Sequence, residues 1–363
     1  MADAYGSFSM NLFDSISQFG HEQLLVYSDP RTGLRALIAI HDTTLGPACG
    51  GTRIWPYNSE DDAIKDVLRL SRAMTYKSAV AELSLGGGKA VIIADPNAQK
   101  NEALLRSFGR FVDTLKGRYL TTTDVGTTGE DLAWIRQETE YVVGLPTSFG
   151  GSGDTSIMTG LGVYVGMKAC AESVWGSDSL KGKTVAMQGF GKVAYNTAKH
   201  LLKEEAKIVA TDVSDYAVGR ANSLGISIVG TGDIYDVECD IFSPNALGGV
   251  LNSNTIDRLT CQIVAGGANN QLVSEKESED LRNRGILYAP DYLINAGGII
   301  NVSCGIGSSY NPDRARDKTE KIYDIMKTVI AVSKQEGITT SKAADTIAER
   351  RIESVKGIKQ IYR

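Results

Sequence analysis

The feature that most constrains the fold is a glycine motif between an apolar strand and a helix in the second half of the chain. The motif reads Gly189-Phe190-Gly191-Lys192-Val193-Ala194 and follows the apolar run TVAMQ. In such a motif the first glycine permits a tight turn, the second lets a pyrophosphate approach the backbone, and a small third residue keeps helix and strand close. The start of the helix offers free N–H groups and its positive dipole end to the phosphates. The motif therefore predicts a dinucleotide-binding β-α-β unit.

The next strand of this unit, KIVATD, ends in Asp212. A carboxylate at this place accepts hydrogen bonds from the adenosine ribose hydroxyls and repels a 2′-phosphate. No arginine follows Asp212 directly to hold such a phosphate. A glycine-rich turn without a ligand is the alternative, and the strand-turn-helix-strand context argues against it. We therefore expect NAD as cofactor, bound by Gly189, Phe190, Gly191, Lys192, Val193 and Asp212.

Length and composition indicate two domains with ordinary cores. The chain has 363 residues, 42% hydrophobic and 22% charged, whereas a single domain typically has about 100–200 residues. Between Tyr141 and Ser156 a proline and several glycines interrupt the periodic apolar pattern, as expected of a connection. We therefore expect an α/β protein with a substrate domain over residues 1–148 and a Rossmann-type NAD domain over residues 149–329.

Alternating helical and strand patterns support an α/β class for both halves. In the first half, helices are expected at 11–20, from Ser59, at 102–115 and from Thr128, and strands at 22–29, 34–42, 90–95 and 119–122. In the second half, a helix at 157–174 precedes the β-α-β unit, and short strands follow at 226–230, 240–244, 262–267 and 286–290. The chain ends in two helices, roughly 312–335 and 340–356. We expect the tail from about 330 to 363 to pack back on the first domain.

Charge and apolar patterning argue against several classes of protein. The net charge is −5 and no basic run is present, which argues against nucleic-acid binding. The N-terminal residues lack a basic segment followed by an apolar core, and no apolar stretch reaches the roughly 20 residues that a membrane span needs. We expect a cytoplasmic protein that contacts neither nucleic acid nor membrane.

The spacing of cysteines and histidines gives no support for a metal site or a disulfide framework. The five cysteines are scattered without a CxxC pair, and His21, His41 and His200 lie far apart. Reduced cysteines and no bound metal are the expected state.

Two lysines and an aspartate in the first half carry the candidate chemistry. Lys89 directly follows three glycines, and Lys77 stands at the end of a predicted helix. Glycines at such a place let another group approach the backbone closely. Two lysines in one pocket bind a carboxylate, and their repulsion and burial lower at least one pKa. Asp124 follows the strand YLTT, where α/β enzymes place catalytic groups; capping of the next helix is the equal alternative.

Longer segments resemble one enzyme family along nearly the whole chain. They are IAIHDTTLGPACGGTRIW, LSRAMTYKSA, LGGGKAVII, GRYLTTTDVGTTGEDL, QGFGKVAYN, VAGGANNQL and LYAPDYLINAGGIINV. The chain resembles the glutamate/leucine/phenylalanine/valine amino-acid dehydrogenases, and within them the leucine dehydrogenases most. The resemblance implies an NAD-dependent enzyme that reversibly converts an L-amino acid to the 2-oxo acid and ammonia. It also implies a homo-oligomer.

The resemblance implies a role for each residue of the catalytic half. Lys77 would hold the substrate carboxylate, aided by Asn270. Lys89 would activate the attacking water, which needs a lysine that is neutral for part of the cycle. Asp124 would relay protons to and from the substrate amine, and a backbone carbonyl at Gly50 would help to fix that amine.

In the cofactor half the resemblance implies three further residues at the cofactor. Thr159 would contact the nicotinamide carboxamide, and Asn270 would also face the cofactor. Asn245 stands where relatives commonly carry a cysteine, and this position would line the cofactor cleft.

The side-chain pocket implied by the resemblance is uncharged. It would be lined by Cys49, Thr122, Ile299 and Val302, where leucine dehydrogenases usually carry Leu, Ala, Val and Val. Since one methylene shifts selectivity by only about 1–3 kcal/mol, these changes redirect preference without changing the chemistry. Leucine and other branched-chain amino acids are expected first, phenylalanine or tryptophan second, and glutamate last.

Two alternatives stay open from the sequence. One is a phenylalanine or tryptophan dehydrogenase with the same chemistry and a reshaped pocket. The other is a non-catalytic NAD-sensing protein, against which the joint presence of Lys77, Lys89, Asp124 and Asn270 argues.

Overall fold

The computed structural model describes residues 11–361, and the chain divides into two compact units. The first unit runs to Gly153 and takes in the end of the chain from Ile352. The second unit is Asp154–Arg351. The change of unit after Gly153 falls within the connection that proline and glycine mark in the sequence. No helix among residues 11–361 is long and apolar enough to cross a bilayer.

The first unit alternates helices and strands. Its elements are α1 (Leu12–Phe19), β1 (Gln23–Asp29), β2 (Leu34–Asp42), β3 (Ala48–Trp55), α2 (Glu60–Val80), β4 (Gly86–Ile93), α3 (Glu102–Asp113), β5 (Tyr119–Thr123), α4 (Gly129–Arg136) and a short 3-10 helix (Thr147–Phe149). The sheet order is β1-β2-β4-β3-β5. β2 pairs antiparallel with β1 and β4, whereas β3 runs parallel to β4 and β5. The strands expected at 22–29 and 34–42 are confirmed, and they pair as a hairpin.

Both faces of this sheet are buried. Successive side chains of a strand point to opposite faces, and β2 shows this directly. Ile38 and Ile40 join the cluster of Phe108 on α3, whereas Leu37 packs with Val67 on α2. The sheet is therefore covered by α3 on one face and by α2 on the other.

Side-chain caps explain where two helices of the first unit begin. The Ser59 side chain accepts a hydrogen bond from the backbone N–H of Asp62 at the start of α2. Thr128 and Asp131 form a reciprocal capping box at the start of α4. Such caps satisfy N–H groups that have no partner within the helix, and the predicted helices from Ser59 and Thr128 are confirmed.

The three glycines before Lys89 form the first part of β4, which begins earlier than the predicted strand at 90–95. A Cβ at Gly87 would lie 2.1 Å from Oγ1 of Thr75, and a Cβ at Gly88 would lie 2.8 Å from the Tyr119 ring. Both distances are too short for real contacts. The close approach expected at these glycines is therefore made by helix α2 and by Tyr119.

The second unit contains a parallel sheet with helices between its strands. Its elements are α5 (Ser156–Trp175), β6 (Thr184–Gln188), α6 (Lys192–Lys203), β7 (Lys207–Thr211), α7 (Asp215–Asn222), β8 (Ser227–Ile228), a 3-10 helix (Asp233–Asp236), β9 (Ile241–Pro244), α8 (Ser253–Ile256), β10 (Ile263–Val264), α9 (Glu275–Asn283), β11 (Leu287–Tyr288), α10 (Asp291–Ile294), α11 (Gly297–Ser303), α12 (Pro312–Glu320), α13 (Ile322–Glu336) and α14 (Thr340–Ile361), the last of which runs on into the first unit. The strand order is β11-β10-β9-β6-β7-β8, with all pairs parallel. This is the doubly wound order in which the chain reverses direction beside the first strand, here β6.

The structure corrects the expected position of the C-terminal tail. Only the part from Ile352 groups with the first unit, and residues 330–351 belong to the second. The reason is local packing: the Tyr323 hydroxyl on α13 donates to Glu172 on α5, and the Thr340 hydroxyl at the start of α14 donates to the Tyr288 carbonyl. The single helix expected at 312–335 is two helices, α12 and α13.

Candidate active site

The centre of the first unit's site is a buried ion pair. Nζ of Lys89 on β4 lies 2.6 Å from Oδ2 of Asp124, which directly follows β5. The exposed fraction of the side chain is 8% for Lys89 and 21% for Asp124. Thr128, not Asp124, caps α4, so the capping alternative for Asp124 is wrong. The structure thus brings together the two residues expected to be catalytic.

The pKa values of both members of this pair are lowered, each for a different physical reason. Burial lowers the pKa of Lys89, although the charge of Asp124 opposes this. Burial alone would raise the pKa of Asp124, but the charges of Lys89 and Arg53 outweigh it, and the pKa of Asp124 lies below its ordinary value. Asp124 is therefore a carboxylate at neutral pH, beside a lysine whose proton is held less tightly than usual.

Sequence reasoning missed a second cation on Asp124. Nε of Arg53 on β3 lies 3.1 Å from Oδ2 of Asp124, the atom that also contacts Lys89. Nη1 of Arg53 lies 2.7 Å from Oδ2 of Asp66 on α2. Asp66 also accepts from the Tyr57 hydroxyl at 2.7 Å and pairs with Arg69 through its other oxygen. The only available signal was the position of Arg53 in the GGTRIW run, two residues past the glycines.

Glycines of β3 create the space for the ion pair. β3 lies between β4 and β5 in the sheet. A Cβ at Gly51 would lie 2.3 Å from the Thr123 carbonyl oxygen and 2.8 Å from Cβ of Asp124. A Cβ at Gly50 would lie 1.8 Å from the Gly88 carbonyl oxygen. Without side chains at Gly50 and Gly51, the residues of the two flanking strands can meet across β3.

The other candidates of the first unit lie on the same elements. The Gly50 carbonyl accepts a hydrogen bond of 2.7 Å from the buried Tyr119 hydroxyl, and a carbonyl oxygen has a second lone pair for another donor. Lys77 is half-buried in the last turn of α2. Cys49 on β3 is fully buried, which raises the pKa of its thiol to about 12, and Thr122 on β5 is half-buried.

In the second unit, the glycine motif forms the turn from β6 into α6. Gly189 has a φ of 91°, a left-handed value that favours glycine. Gly191 precedes the first residue of α6, and a Cβ built there has no atom within 4 Å. Ala194 is fully buried. A tight turn, an open approach to the helix start and a small buried residue are the three conditions that a bound pyrophosphate imposes on this motif.

Asp212 holds the turn through backbone N–H groups. Its Oδ2 accepts from Phe190 N–H at 2.6 Å, and its Oδ1 accepts from Ser214 N–H at 2.9 Å. Each carboxylate oxygen has a further lone pair, so the ribose contacts expected of Asp212 remain available. Phe190 is fully buried, whereas Lys192 is exposed and pairs with Asp154 at 3.5 Å.

Arg220 on α7 is a second residue that sequence reasoning missed. Its guanidinium donates to the Phe190 carbonyl and lies 4.7 Å from the centre of the Tyr195 ring. Asp212 and Arg220 therefore hold the backbone of Phe190, Asp212 through its N–H and Arg220 through its carbonyl oxygen. The sequence signal was weak, because Arg220 stands on the following helix and not beside Asp212.

Asn245 and Asn270 lie in the loops that follow β9 and β10. The Asn245 side-chain oxygen accepts a hydrogen bond of 2.8 Å from Gly267 N–H. Val193 lies close to the same glycine, because a Cβ built at Gly267 would be only 2.6 Å from Cγ1 of Val193. Asn270 is exposed, with a φ of 52°, a conformation that asparagine tolerates better than most residues.

Three remaining candidates lie on α5 and α11. The Thr159 hydroxyl donates to the Thr155 carbonyl at 2.9 Å, and its lone pairs remain for a donor. Ile299 and Val302 are buried and, three residues apart on α11, share a helix face. Within residues 11–361 no group of three or more His, Cys, Asp or Glu side chains is placed to hold a metal ion.

Family models cover most of the chain. The model described as Glu/Leu/Phe/Val dehydrogenase, dimerisation domain, matches residues 21–141. The model described as glutamate/leucine/phenylalanine/valine dehydrogenase matches residues 150–229 and 211–357. The chain belongs to the Glu/Leu/Phe/Val dehydrogenase family. It is an amino-acid dehydrogenase of a family that uses NAD(P), and the predicted family, fold class and enzyme class are confirmed.

Individual members of the family are similar over the full chain. Leucine dehydrogenase from Geobacillus stearothermophilus is 52% identical over 348 residues, which make up 96% of this chain and 95% of the relative. Phenylalanine dehydrogenase from Caldalkalibacillus thermarum is 45% identical over 349 residues, 94% of this chain and 93% of the relative. The crystal structure of L-tryptophan dehydrogenase from Nostoc punctiforme matches with a TM-score of 0.83 at 46% identity, covering 95% of this chain and 99% of that one.

Replacing Arg53 with methionine should raise the pKa of Asp124. The change removes one of the two cations on Oδ2 and keeps a side chain of similar length. Carboxyl ¹³C NMR of protein labelled at aspartate, with Asp124→Asn to assign the signal, measures that pKa. Arg69→Met is the matched control, because Arg69 pairs with Asp66 and is not among the partners of Asp124. An equal shift in both variants would contradict the direct effect of Arg53.

Proposed function

We propose that this amino-acid dehydrogenase catalyses the NAD-dependent, reversible oxidative deamination of an apolar L-amino acid, with leucine and other branched-chain amino acids preferred. The products are the 2-oxo acid, ammonia and NADH. The observation that carries the proposal is the buried Lys89–Asp124 pair, which places a lysine of lowered pKa against an ionised carboxylate. An ionised carboxylate can accept a proton from an amine, and a lysine that loses its proton can activate water.

Each catalytic group has a separate task in this reaction. Asp124 takes a proton from the substrate ammonium group, because its pKa is low enough for it to be ionised and it lies beside the exchanging lysine. Lys89, in its neutral form, takes a proton from the water that attacks the iminium carbon. Lys77 binds the substrate carboxylate, with Asn270, and the Gly50 carbonyl accepts a hydrogen bond from the amine. These assignments are proposals that rest on the position of each residue and on the family.

The second unit fits NAD at the turn that begins with Gly189. The open approach at Gly191 leaves room for a pyrophosphate, and the N–H groups at the start of α6 are directed to it. Asp212 carries a negative charge next to the turn, which favours a ribose diol and disfavours a 2′-phosphate. Bound NAD would accept the hydride from the substrate α-carbon. Thr159, Asn245 and Asn270 are proposed as further contacts of the cofactor.

The proposed substrate is apolar because the candidate pocket residues carry no charge. The Cys49 thiol stays neutral at any physiological pH, since burial raises its pKa to about 12. Thr122, Ile299 and Val302 add only methyl-bearing side chains. A glutamate side chain would need a cation among these four residues, and none of them supplies one. The name of the 52% identical relative, leucine dehydrogenase, supports the branched-chain preference.

We also propose that residues up to about 148 form the substrate domain and that the chain is a homo-oligomer. The first family model is described as a dimerisation domain. In the first unit, β1 is an edge strand of the sheet and Val26 on it is 70% exposed. Exposed apolar edges are rarely left without a partner.

A panel of L-amino acids with NAD tests the proposed function. NADH formation, followed by absorbance, should be fastest with leucine, isoleucine or valine and absent with glutamate. A clear preference for phenylalanine or tryptophan would replace the substrate while keeping the chemistry. Inactivity with every amino acid would contradict the enzyme and favour an NAD-sensing protein.

Replacing Lys89 with alanine should reduce kcat by about 10²–10⁴-fold, the usual contribution of a general acid–base group. Because Lys89 belongs to the first unit, the Kd for NAD, measured by calorimetry, should stay near that of the unchanged protein. Lys65→Ala, at an exposed lysine of α2, is the control and should keep full activity. Unchanged turnover of the Lys89 variant with leucine would remove Lys89 from the mechanism.

Replacing Asp212 with asparagine should relax discrimination against NADP. The amide keeps one oxygen for the Phe190 N–H but loses the charge that repels a 2′-phosphate. The ratio of kcat/KM for NAD to that for NADP should therefore fall, whereas Asp215→Asn, at an exposed position in the first turn of α7, should leave it unchanged. An unaltered ratio in the Asp212 variant would show that another group selects the cofactor.

A further inference from the structure

Two cysteines of the second unit meet at the amino-terminal ends of neighbouring strands. β9 and β10 are parallel, with Ile241 opposite Ile263. Continued back by two residues, this register sets Cys239 opposite Cys261. The backbone supports the register, because the Asp240 carbonyl accepts from Gln262 N–H at 3.2 Å. Neighbouring strands lie about 4.7–4.9 Å apart, and disulfides usually join Cα atoms about 4.4–6.8 Å apart.

The two side chains also contact each other. Cys261 belongs to a buried apolar cluster, and Cys239 packs against that cluster while half-exposed. The two thiols interact directly with each other. Cys239 is the thiol of the pair that solvent reaches, whereas Cys261 is buried.

We propose that Cys239 and Cys261 form a reversible disulfide when the protein is exposed to hydrogen peroxide. Peroxide reacts at Cys239: the O–O bond breaks, an S–O bond forms and one water leaves. The Cys261 thiolate then attacks the Cys239 sulfur, so that an S–S bond forms, the S–O bond breaks and a second water leaves. The two thiols lose two electrons and two protons, and peroxide takes up both.

The position of the bond gives it a consequence for the cofactor half. The same two strands lead to Asn245 and Gly267, which are joined by the hydrogen bond of 2.8 Å. The disulfide would close the segment from 239 to 261, which contains Asn245. The other three cysteines, Cys49, Cys170 and Cys304, are buried.

Thiol counting and peptide mapping test the proposal on the full-length protein. After treatment with hydrogen peroxide and denaturation, the thiol count should fall from five to three, and a non-reducing digest should contain one peptide pair joined through Cys239 and Cys261. Dithiothreitol should restore all five thiols. Five thiols after treatment, a bond between other cysteines, or overoxidation of Cys239 without a crosslink would overturn the proposal.

Serine variants separate the pair from general oxidation. Cys261→Ser should give no crosslinked peptide, and Cys239→Ser should give none either. Cys304→Ser is the matched control and should form the same crosslink as the unchanged chain. Tm values of all variants, measured under reducing conditions, show whether each is folded; if one variant of the pair does not fold, the other gives the same decision.

Discussion

The absence of side chains at Gly50 and Gly51 is the constraint on which the catalytic half depends. β3 lies between the strands that carry Lys89 and Asp124, and any Cβ at these glycines would overlap backbone atoms of the neighbouring strands. Because protein interiors are close-packed and yield little to added atoms, this arrangement of the ion pair requires glycine at both positions. Gly87 and Gly88 on β4 are constrained in the same way, because α2 packs against Gly87 and the Tyr119 ring packs against Gly88.

Opposing effects set the pKa values of the two residues in this ion pair. Burial destabilises the charge on Lys89 and on Asp124 alike. Two cations, Lys89 and Arg53, favour the charged form of Asp124, whereas the charge on Lys89 is favoured by Asp124 and opposed by Arg53. The carboxylate therefore stays ionised while the lysine loses part of its affinity for the proton. Arg53 lowers the pKa of both groups, and through Asp66 it is connected to Tyr57 and Arg69.

In the second unit, Asp212 stabilises the glycine turn and is the group that we propose to recognise the cofactor ribose. Asp212 accepts hydrogen bonds from two backbone N–H groups. These bonds stabilise the turn from β6 into α6 whether or not a cofactor is bound. Arg220 stabilises the same turn by donating a hydrogen bond to the Phe190 carbonyl oxygen. A change at Asp212 consequently alters the geometry of the turn as well as the charge presented to the ribose, which is why an isosteric amide is the informative substitution.

The sequence by itself determined the family, the α/β class, the glycine turn with Asp212, and the choice of Lys89 and Asp124 as candidate site residues. These features depend on local patterns: apolar periodicity, turn-forming glycines, capping residues and contiguous motifs. Only the tertiary structure decided which groups meet. β3 is poorly visible in the sequence because glycine is depleted in strands, and Arg53, Arg220 and the Cys239–Cys261 pair gain their partners through strand order and register. The tail divides at Ile352 for the same reason, since helix packing depends on surfaces formed by distant segments.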